Sequence, residues 1–451
     1  MPPQAPARRL RRLPSVSPPP GVRAKASWPA NGFLEILFPR SLGYGQLVET
    51  AEADRLRDAL TDALKAGGSV RTRRVEAALR AVPRHLFIQG TPLNVAYANE
   101  VVLTKRAEDS TPISSASQPS IVARMLEQLQ VAPGNRVLEI GAGTGYNAAL
   151  LSHLAGPGGQ VTTIDVDEDI AAGARDSLRE AGYSGVRVVL GDGGLGCTPY
   201  APYDRIIATV GAWDLPLAWL SQLAPTGRLV VPLRLRGSVT RSIAFERDGT
   251  APDVPRWRSV SSEMCSFMPL RGGVADDPAR SVPLNGDGSI TLAVHQDQDI
   301  DATALSDVIS HRRAREWTGI TLGEESPEWL FLWLACTLRN AVSRMSARRQ
   351  AIDEGVVECM PAWGTVATAE AASLAYIAFR SAAGRREVGV IGHGPRGDVL
   401  ARAVTSQVRA WNRRYRDARA RFSIQPVTTT GPPSSDFAFR TPHCWLSIAW
   451  E

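Results

Sequence analysis

The amino-acid sequence predicts an α/β protein: a doubly wound, mostly parallel Rossmann-like sheet, preceded by an N-terminal helical segment and followed by an additional C-terminal α+β domain. Three observations carry this reading. From Pro133 onward, short apolar strands alternate with helical stretches. The first of those strands runs straight into the glycine turn Gly141-Ala142-Gly143-Thr144-Gly145. Beyond Thr250 the alternation stops and a Pro/Gly/Asp-rich stretch begins. Strands linked by helices pair in parallel through right-handed crossovers, which place helices on both faces of one sheet.

At 451 residues the chain is long enough for more than one core, and its 44% hydrophobic and 21% charged residues are ordinary for a globular protein. No apolar run reaches the length of a membrane span, so no membrane partner is expected; the longest, Trp329 to Leu338, reads as a buried helix. The 5 cysteines are scattered, odd in number and without a CxxC pair, which argues against a disulfide framework or a metal site. Residues 1–28 are rich in Pro and Arg and lack the apolar core of a signal peptide. They are expected to form a disordered tail, and the protein is expected in the cytoplasm. A net charge of +6 invites nucleic acid, but the arginines are not interleaved with a binding motif, so no nucleic-acid partner is expected. Solvated helix faces explain the charge, with attraction of an acidic peptide to the basic C-terminal part as an alternative.

In chain order, Leu56, Leu60 and Leu64 share one helical face, and Gly67-Gly68 ends that helix. Val75, Ala78, Leu79 and Val82 form a second stripe, stopped by Pro83. Apolar strands follow at Val137–Ile140, Val161–Ile164, Val186–Leu190, Arg205–Ala208 and Arg228–Val231, with Ser242–Phe245 extending the sheet. A helix is expected from Ser326, with Pro327 at its first position. Another is expected from Asp398 to Phe422, where Leu400, Val404, Val408, Trp411, Tyr415, Ala418 and Phe422 keep three- and four-residue steps, and Arg409, Arg413 and Arg416 fall off that stripe.

The glycines at Gly141, Gly143 and Gly145 have a physical task. A cofactor's charged groups approach the backbone there, and a Cβ would block them. The helix that follows presents free N–H groups to an anion. Glycine turns of this kind serve several nucleotide-type cofactors. Here the spacing is G-x-G-x-G, with Glu139 two residues ahead, as in S-adenosylmethionine-dependent methyltransferases. Asp165, first after the second strand, is placed to hold both ribose hydroxyls, with Asp167 and Asp169 as competitors. Asp192 and Gly193 end the third strand, a position that lies against the adenine in those enzymes.

Ser115-Ala116-Ser117-Gln118-Pro119-Ser120-Ile121-Val122-Ala123-Arg124-Met125 resembles the acceptor loop of protein-L-isoaspartate O-methyltransferases, which reads Thr-Ile-Ser-Gln/Ala-Pro. Pro83-Arg84-His85-Leu86-Phe87, Ala96-Tyr97-Ala98-Asn99-Glu100 and Gly227–Pro232 resemble further segments of that family. The resemblance implies S-adenosyl-L-methionine as cofactor and Ser117, with Ser115, as the residues that hold the acceptor carboxylate. Ser115 and Ala116 depart from the family's Thr and Ile. Residues 29–250 would then be the methyltransferase domain with its N-terminal helices, and 251–451 an accessory domain recognising the peptide. The extra domain, Thr209–Pro216 and Phe267–Gly272 are similar to methyltransferases of ribosomally made, post-translationally modified peptides in lanthipeptide, lasso-peptide and graspetide clusters. That similarity implies esterification of an aspartate in an already cyclised precursor peptide, leading to aspartimide or isoaspartate. General isoaspartate repair is the alternative.

Overall fold

The strand Arg136–Ile140 is buried along its apolar length and organises the sheet around it. The computed structural model describes residues 44–249, 255–272, 279–361, 364–428 and 431–451; the expected tail, 1–28, lies outside them. Arg136–Ile140 pairs in parallel with Gln160–Asp165 on one side and with Tyr203–Ala208 on the other. Arg187–Leu190 and Leu223–Arg236 continue the parallel pairing outward. Val137, Ile207 and Val230 pack on one face, and Leu138, Ile140, Ile206 and Val231 on the other. Near-continuous apolar strands are what a parallel sheet covered on both faces requires.

Helix Arg73–Ala81 buries Val75, Ala78 and Leu79, and the hydroxyl of Thr72 caps it by accepting from the Val75 N–H. Helix Pro119–Leu129 starts with proline at its first turn, where the missing N–H costs nothing, and buries Val122, Met125, Leu126 and Leu129 against the same face. The hairpin Val102–Arg106 and Pro112–Ala116 leads into it.

Beyond the parallel strands the sheet does not end. Val239–Arg247 pairs antiparallel with Leu223–Arg236, and Trp257–Met264 pairs with Val239–Arg247. The chain then leaves to build a separate seven-stranded antiparallel sheet between Arg280 and His393. Helices Glu328–Thr337 and Gly397–Arg414 pack with Ile377, Val388 and Val390 of that sheet through Leu330, Leu334, Leu400, Val404 and Val408. Finally the chain returns: Ala420–Pro426, Cys444–Trp450 and Phe437–Arg440 complete a first sheet of ten strands.

Two expectations are corrected here. The helix expected to reach Phe422 spans Gly397–Arg414, and Phe422 lies in a strand. Ala420, Phe422 and Ile424 are buried while Arg421 is exposed, an alternation of period two that the three- and four-residue steps masked. The boundary expected at 250 falls inside the ten-stranded sheet, and Val48–Glu451 form one compact unit. Without Trp257–Met264 and the C-terminal strands, Val239–Arg247 would expose a row of unpaired N–H and C=O groups. Arg402 and Arg416, basic residues of the C-terminal part, are also committed within the fold, to Asp398 and Glu325. Among the described residues no helix is long and apolar enough to cross a membrane.

The returning segment is locked to the parallel half by one buried carboxylate. Asp214, 1% exposed, accepts from the Thr441 hydroxyl at 2.5 Å, the His443 N–H at 2.9 Å and His443 Nδ1 at 2.6 Å. Asp214→Ala strands these donors and is expected to lower stability by about 2–4 kcal/mol in urea unfolding, with Asp214→Asn losing less because it keeps an acceptor. A loss below about 0.5 kcal/mol for the alanine variant contradicts this role.

Candidate active site

The strand order reverses at Arg136–Ile140, whose neighbours lead away in opposite directions, and a crevice opens at the carboxyl ends of the strands there. A pocket of about 790 Å³ fills it. Its walls are the turn after Ile140, the tip of Gln160–Asp165, the segment Thr209–Val210, the stretch Met264–Arg271 and the loop Ser115–Gln118.

The glycine turn takes a shape that side chains resist. Gly141 has φ +95° and Gly143 φ +51°, both in the left-handed region. A Cβ on Gly141 would meet Thr209 Oγ1 at 2.8 Å, whereas a Cβ on Gly143 would meet only the Ser115 carbonyl oxygen, at 3.9 Å, and otherwise open pocket. Gly141 therefore serves packing and Gly143 serves access. Gly145 heads helix Tyr146–Ala155 and packs against Ala174 and Leu178, outside the pocket lining. The Thr209 hydroxyl donates to the carbonyls of Ile140 (3.1 Å) and Gly141 (2.7 Å) and fixes the turn from below.

Asp165 is 8% exposed and lines the pocket. Its Oδ2 accepts from the Gly143 N–H at 3.1 Å and its Oδ1 from the Asp167 N–H at 3.2 Å. Its competitors are turned to other work. Asp167 pairs with Arg271 at 2.5 Å, and Asp169 pairs with Lys105 at 2.6 Å. These pairs tie the hairpin and the Met264–Arg271 stretch to the rim of the pocket.

Glu139 is fully buried beneath the turn, and its Oε1 accepts from Asn147 Nδ2 at 2.7 Å. Burial pushes its carboxyl from 4.5 up to about 7. Asp192 does not line the pocket; its Oδ1 accepts from the Gly194 N–H at 2.8 Å and caps a short turn. Gly193 does line it, and its carbonyl is held by Trp219 Nε1 at 2.8 Å.

Ser115 and Ser117 line the opposite wall, partly exposed. Ser115 pairs with Leu103 across the hairpin. Asn99 fixes the loop: its carbonyl accepts from Gln118 Nε2 and its side chain from the Ser120 N–H, both at 2.9 Å. One pocket thus brings together Ser115, Ser117, Glu139, Gly141, Gly143, Asp165 and Gly193, and leaves Gly145 and Asp192 as supports behind it. Sequence reasoning missed Thr209 as a brace and the Lys105–Asp167–Arg271 rim. The partners of each are distant in the chain, so only the parallel-strand topology, which brings Thr209 beside Gly141, could have signalled the first.

A family model for protein-L-isoaspartate(D-aspartate) O-methyltransferase matches residues 55–272. Protein-L-isoaspartate O-methyltransferase of Methanopyrus kandleri is 41% identical over 220 residues, 48% of this chain and 92% of that protein. The enzyme of the same name from Methylibium petroleiphilum is 40% identical over 228 residues, 48% of this chain and 78% of its own. A solved protein-L-isoaspartate O-methyltransferase aligns with 87% of this chain and 99% of its own at TM-score 0.46 and 20% identity. A Plasmodium falciparum protein described as a protein-L-isoaspartate O-methyltransferase, solved in complex with S-adenosyl-L-homocysteine, aligns with 48% of this chain and 99% of its own at TM-score 0.42 and 16% identity.

Two outcomes are expected from this geometry. Asp165→Ala should weaken S-adenosylhomocysteine binding by about 1–3 kcal/mol in calorimetric titration, because the Gly143 N–H and the ligand's hydroxyls lose an acceptor; unchanged affinity contradicts the assignment. Glu139 makes stability depend on pH. Its folded pKa of about 7 lies above 4.5, so its contribution is full below about pH 4.5 and is lost as pH rises through 7. Glu139→Gln keeps an acceptor for Asn147 and removes the titration. Between about pH 4.5 and 7.5 the unmodified protein should therefore lose up to about 3 kcal/mol relative to the variant in urea unfolding, and parallel pH profiles contradict this.

Proposed function

The chain belongs to the protein-L-isoaspartate(D-aspartate) O-methyltransferase family, and from that premise we propose that it esterifies a peptide carboxylate with S-adenosylmethionine, the isoaspartyl α-carboxylate being the acceptor. One observation carries the reading: the Ser115–Gln118 loop and the Gly141–Thr144 turn line the same pocket, so an acceptor and a cofactor on those two walls would meet.

The residues present fit the cofactor. Gly143 leaves room for a charged group against the backbone, helix Tyr146–Ala155 directs its free N–H groups at the turn, and Asp165 is a buried carboxylate at the tip of the neighbouring strand. When bound, the cofactor would supply an activated methyl group for transfer to the acceptor oxygen. A carboxylate is already ionised at neutral pH, so the site needs no general base. Its task is orientation, which is where Ser117 and Ser115 act on the acceptor.

A second reading is favoured by one observation. Residues beyond 272, outside the family match, build the seven-stranded sheet and return to close the first one. Such an addition would suit selection of a larger acceptor, an aspartate in a cyclised, ribosomally made precursor in the cytoplasm, whose ester collapses to aspartimide or isoaspartate.

The two readings separate on substrate. With a linear isoaspartyl peptide and a cyclised aspartate-containing peptide, mass spectrometry should find the ester or its dehydrated product mainly on the isoaspartyl peptide. Efficient turnover of the cyclised peptide alone favours the second reading. Ser117→Ala should lower turnover by at least about tenfold while S-adenosylhomocysteine affinity stays within about twofold, since the serine orients only the acceptor. Full activity in that variant contradicts the assignment of the acceptor wall.

A further inference from the structure

The wall of the pocket that carries Ser115 and Ser117 contains a buried positive charge that has no counter-ion among the described residues. Arg84, in the short turn Arg84–Phe87, is 1% exposed and lines the same pocket as Ser115 and Ser117. Its Nε donates to the Ala96 carbonyl at 3.0 Å, and its Nη2 donates to the carbonyls of Ala116 (3.3 Å) and Ser117 (3.0 Å). Its guanidinium stands 5.1 Å from the centre of the Tyr146 ring. The remaining nitrogen, Nη1, is buried and has no hydrogen-bond partner among the described residues. The ionisable groups that bear on Arg84 are the phenols of Tyr146 and Tyr97; burial pulls its pKa below the ordinary value of 12.5. An arginine nonetheless stays protonated at neutral pH.

An uncompensated buried charge is costly, and a fold retains one where something else completes the pair. Carbonyl bonding alone does not call for a full charge, because neutral donors serve as well. A site that receives a carboxylate does. We propose that Arg84 supplies the counter-charge for the acceptor carboxylate, so that the peptide's anion completes an ion pair that the protein leaves open. This rests on the reading of the pocket as a carboxyl-methylation site.

The proposal has a consequence for turnover. Methyl transfer converts the carboxylate to a neutral ester, so the pair exists with the substrate and not with the product. Arg84 would favour entry of a charged acceptor and departure of the ester. Because the carboxylate's charge is already being spent in the transition state, a fixed cation favours the bound substrate at least as much, and its removal acts on KM more than on kcat.

The test compares binding of an isoaspartyl peptide with that of its α-carboxamide analogue, which has the same shape without the charge. Titrations use the S-adenosylhomocysteine complex of the full chain, as the unmodified protein and as Arg84→Met and Arg84→Lys. The unmodified protein should prefer the carboxylate by at least about tenfold, Arg84→Met should reduce the preference to within about twofold, and Arg84→Lys should keep most of it. A preference unchanged in Arg84→Met, or lost equally in both variants, overturns the proposal and leaves Arg84 as a clamp on carbonyls. Should Arg84→Met fail to bind S-adenosylhomocysteine, the other two proteins decide: no preference in the unmodified protein, or none in Arg84→Lys, overturns it. Absence of methyl transfer to the isoaspartyl peptide by the unmodified protein overturns the functional reading as well; transfer with an unaltered Arg84→Met preference overturns this inference alone.

Discussion

The site hangs on the backbone of the turn that follows Ile140. Gly141, Gly143 and Gly145 all sit in the left-handed region, with φ of +95°, +51° and +88°. A chain holds that shape only if its polar groups are satisfied from outside. The Gly141 N–H donates to the Ile164 carbonyl at 2.8 Å, Thr209 binds the carbonyls of Ile140 and Gly141, and Asp165 accepts from the Gly143 N–H. These partners stand at the ends of the two strands that flank Arg136–Ile140. The parallel pairing of three strands therefore sets the shape of the turn, and the turn sets what can approach it.

The rest of the molecule protects that arrangement. Antiparallel strands extend the sheet away from the pocket, and three of them come from the C-terminal end of the chain. Gln128, on helix Pro119–Leu129, bridges its own element to Val239–Arg247 and Trp257–Met264 by bonding Ser242 and Ser261. Arg241, 3% exposed, pairs with Glu328 at 2.8 Å and so joins the first sheet to a helix packed on the second. The Ser115–Gln118 loop at the start of Pro119–Leu129 is thus anchored to a framework that includes the C-terminal strands.

Much of this was legible in the residues. The parallel strands announced themselves as short apolar runs, because both of their faces are buried. The glycine spacing located the turn, and Asp165, first after the apolar run, lines the pocket that Asp167 and Asp169 do not. The Ser115–Gln118 loop was legible as a motif followed by a proline that starts a helix. Other features depended on pairings far apart in sequence. Ala420–Pro426 joining Trp257–Met264 has no local signature, and Phe422 fits a helical stripe as well as a strand face. Asp192 stands between glycines, a pattern that suits both a binding loop and a turn cap, and its Oδ1 caps a short turn. Arg84 is legible only as part of the segment Pro83-Arg84-His85-Leu86-Phe87; its burial is visible only once Ala96, Ala116 and Ser117 converge on it.

The account stands or falls on whether acceptor and cofactor meet in one pocket. A crystal structure of the protein with S-adenosylhomocysteine and an isoaspartyl peptide measures this directly. The cofactor product should lie against the Gly141–Thr144 backbone with its ribose on Asp165, and the peptide carboxylate should lie within hydrogen-bond distance of Ser117 Oγ, facing the sulfur. A peptide bound away from the Ser115–Gln118 wall, or a cofactor product bound away from the glycine turn, contradicts the account.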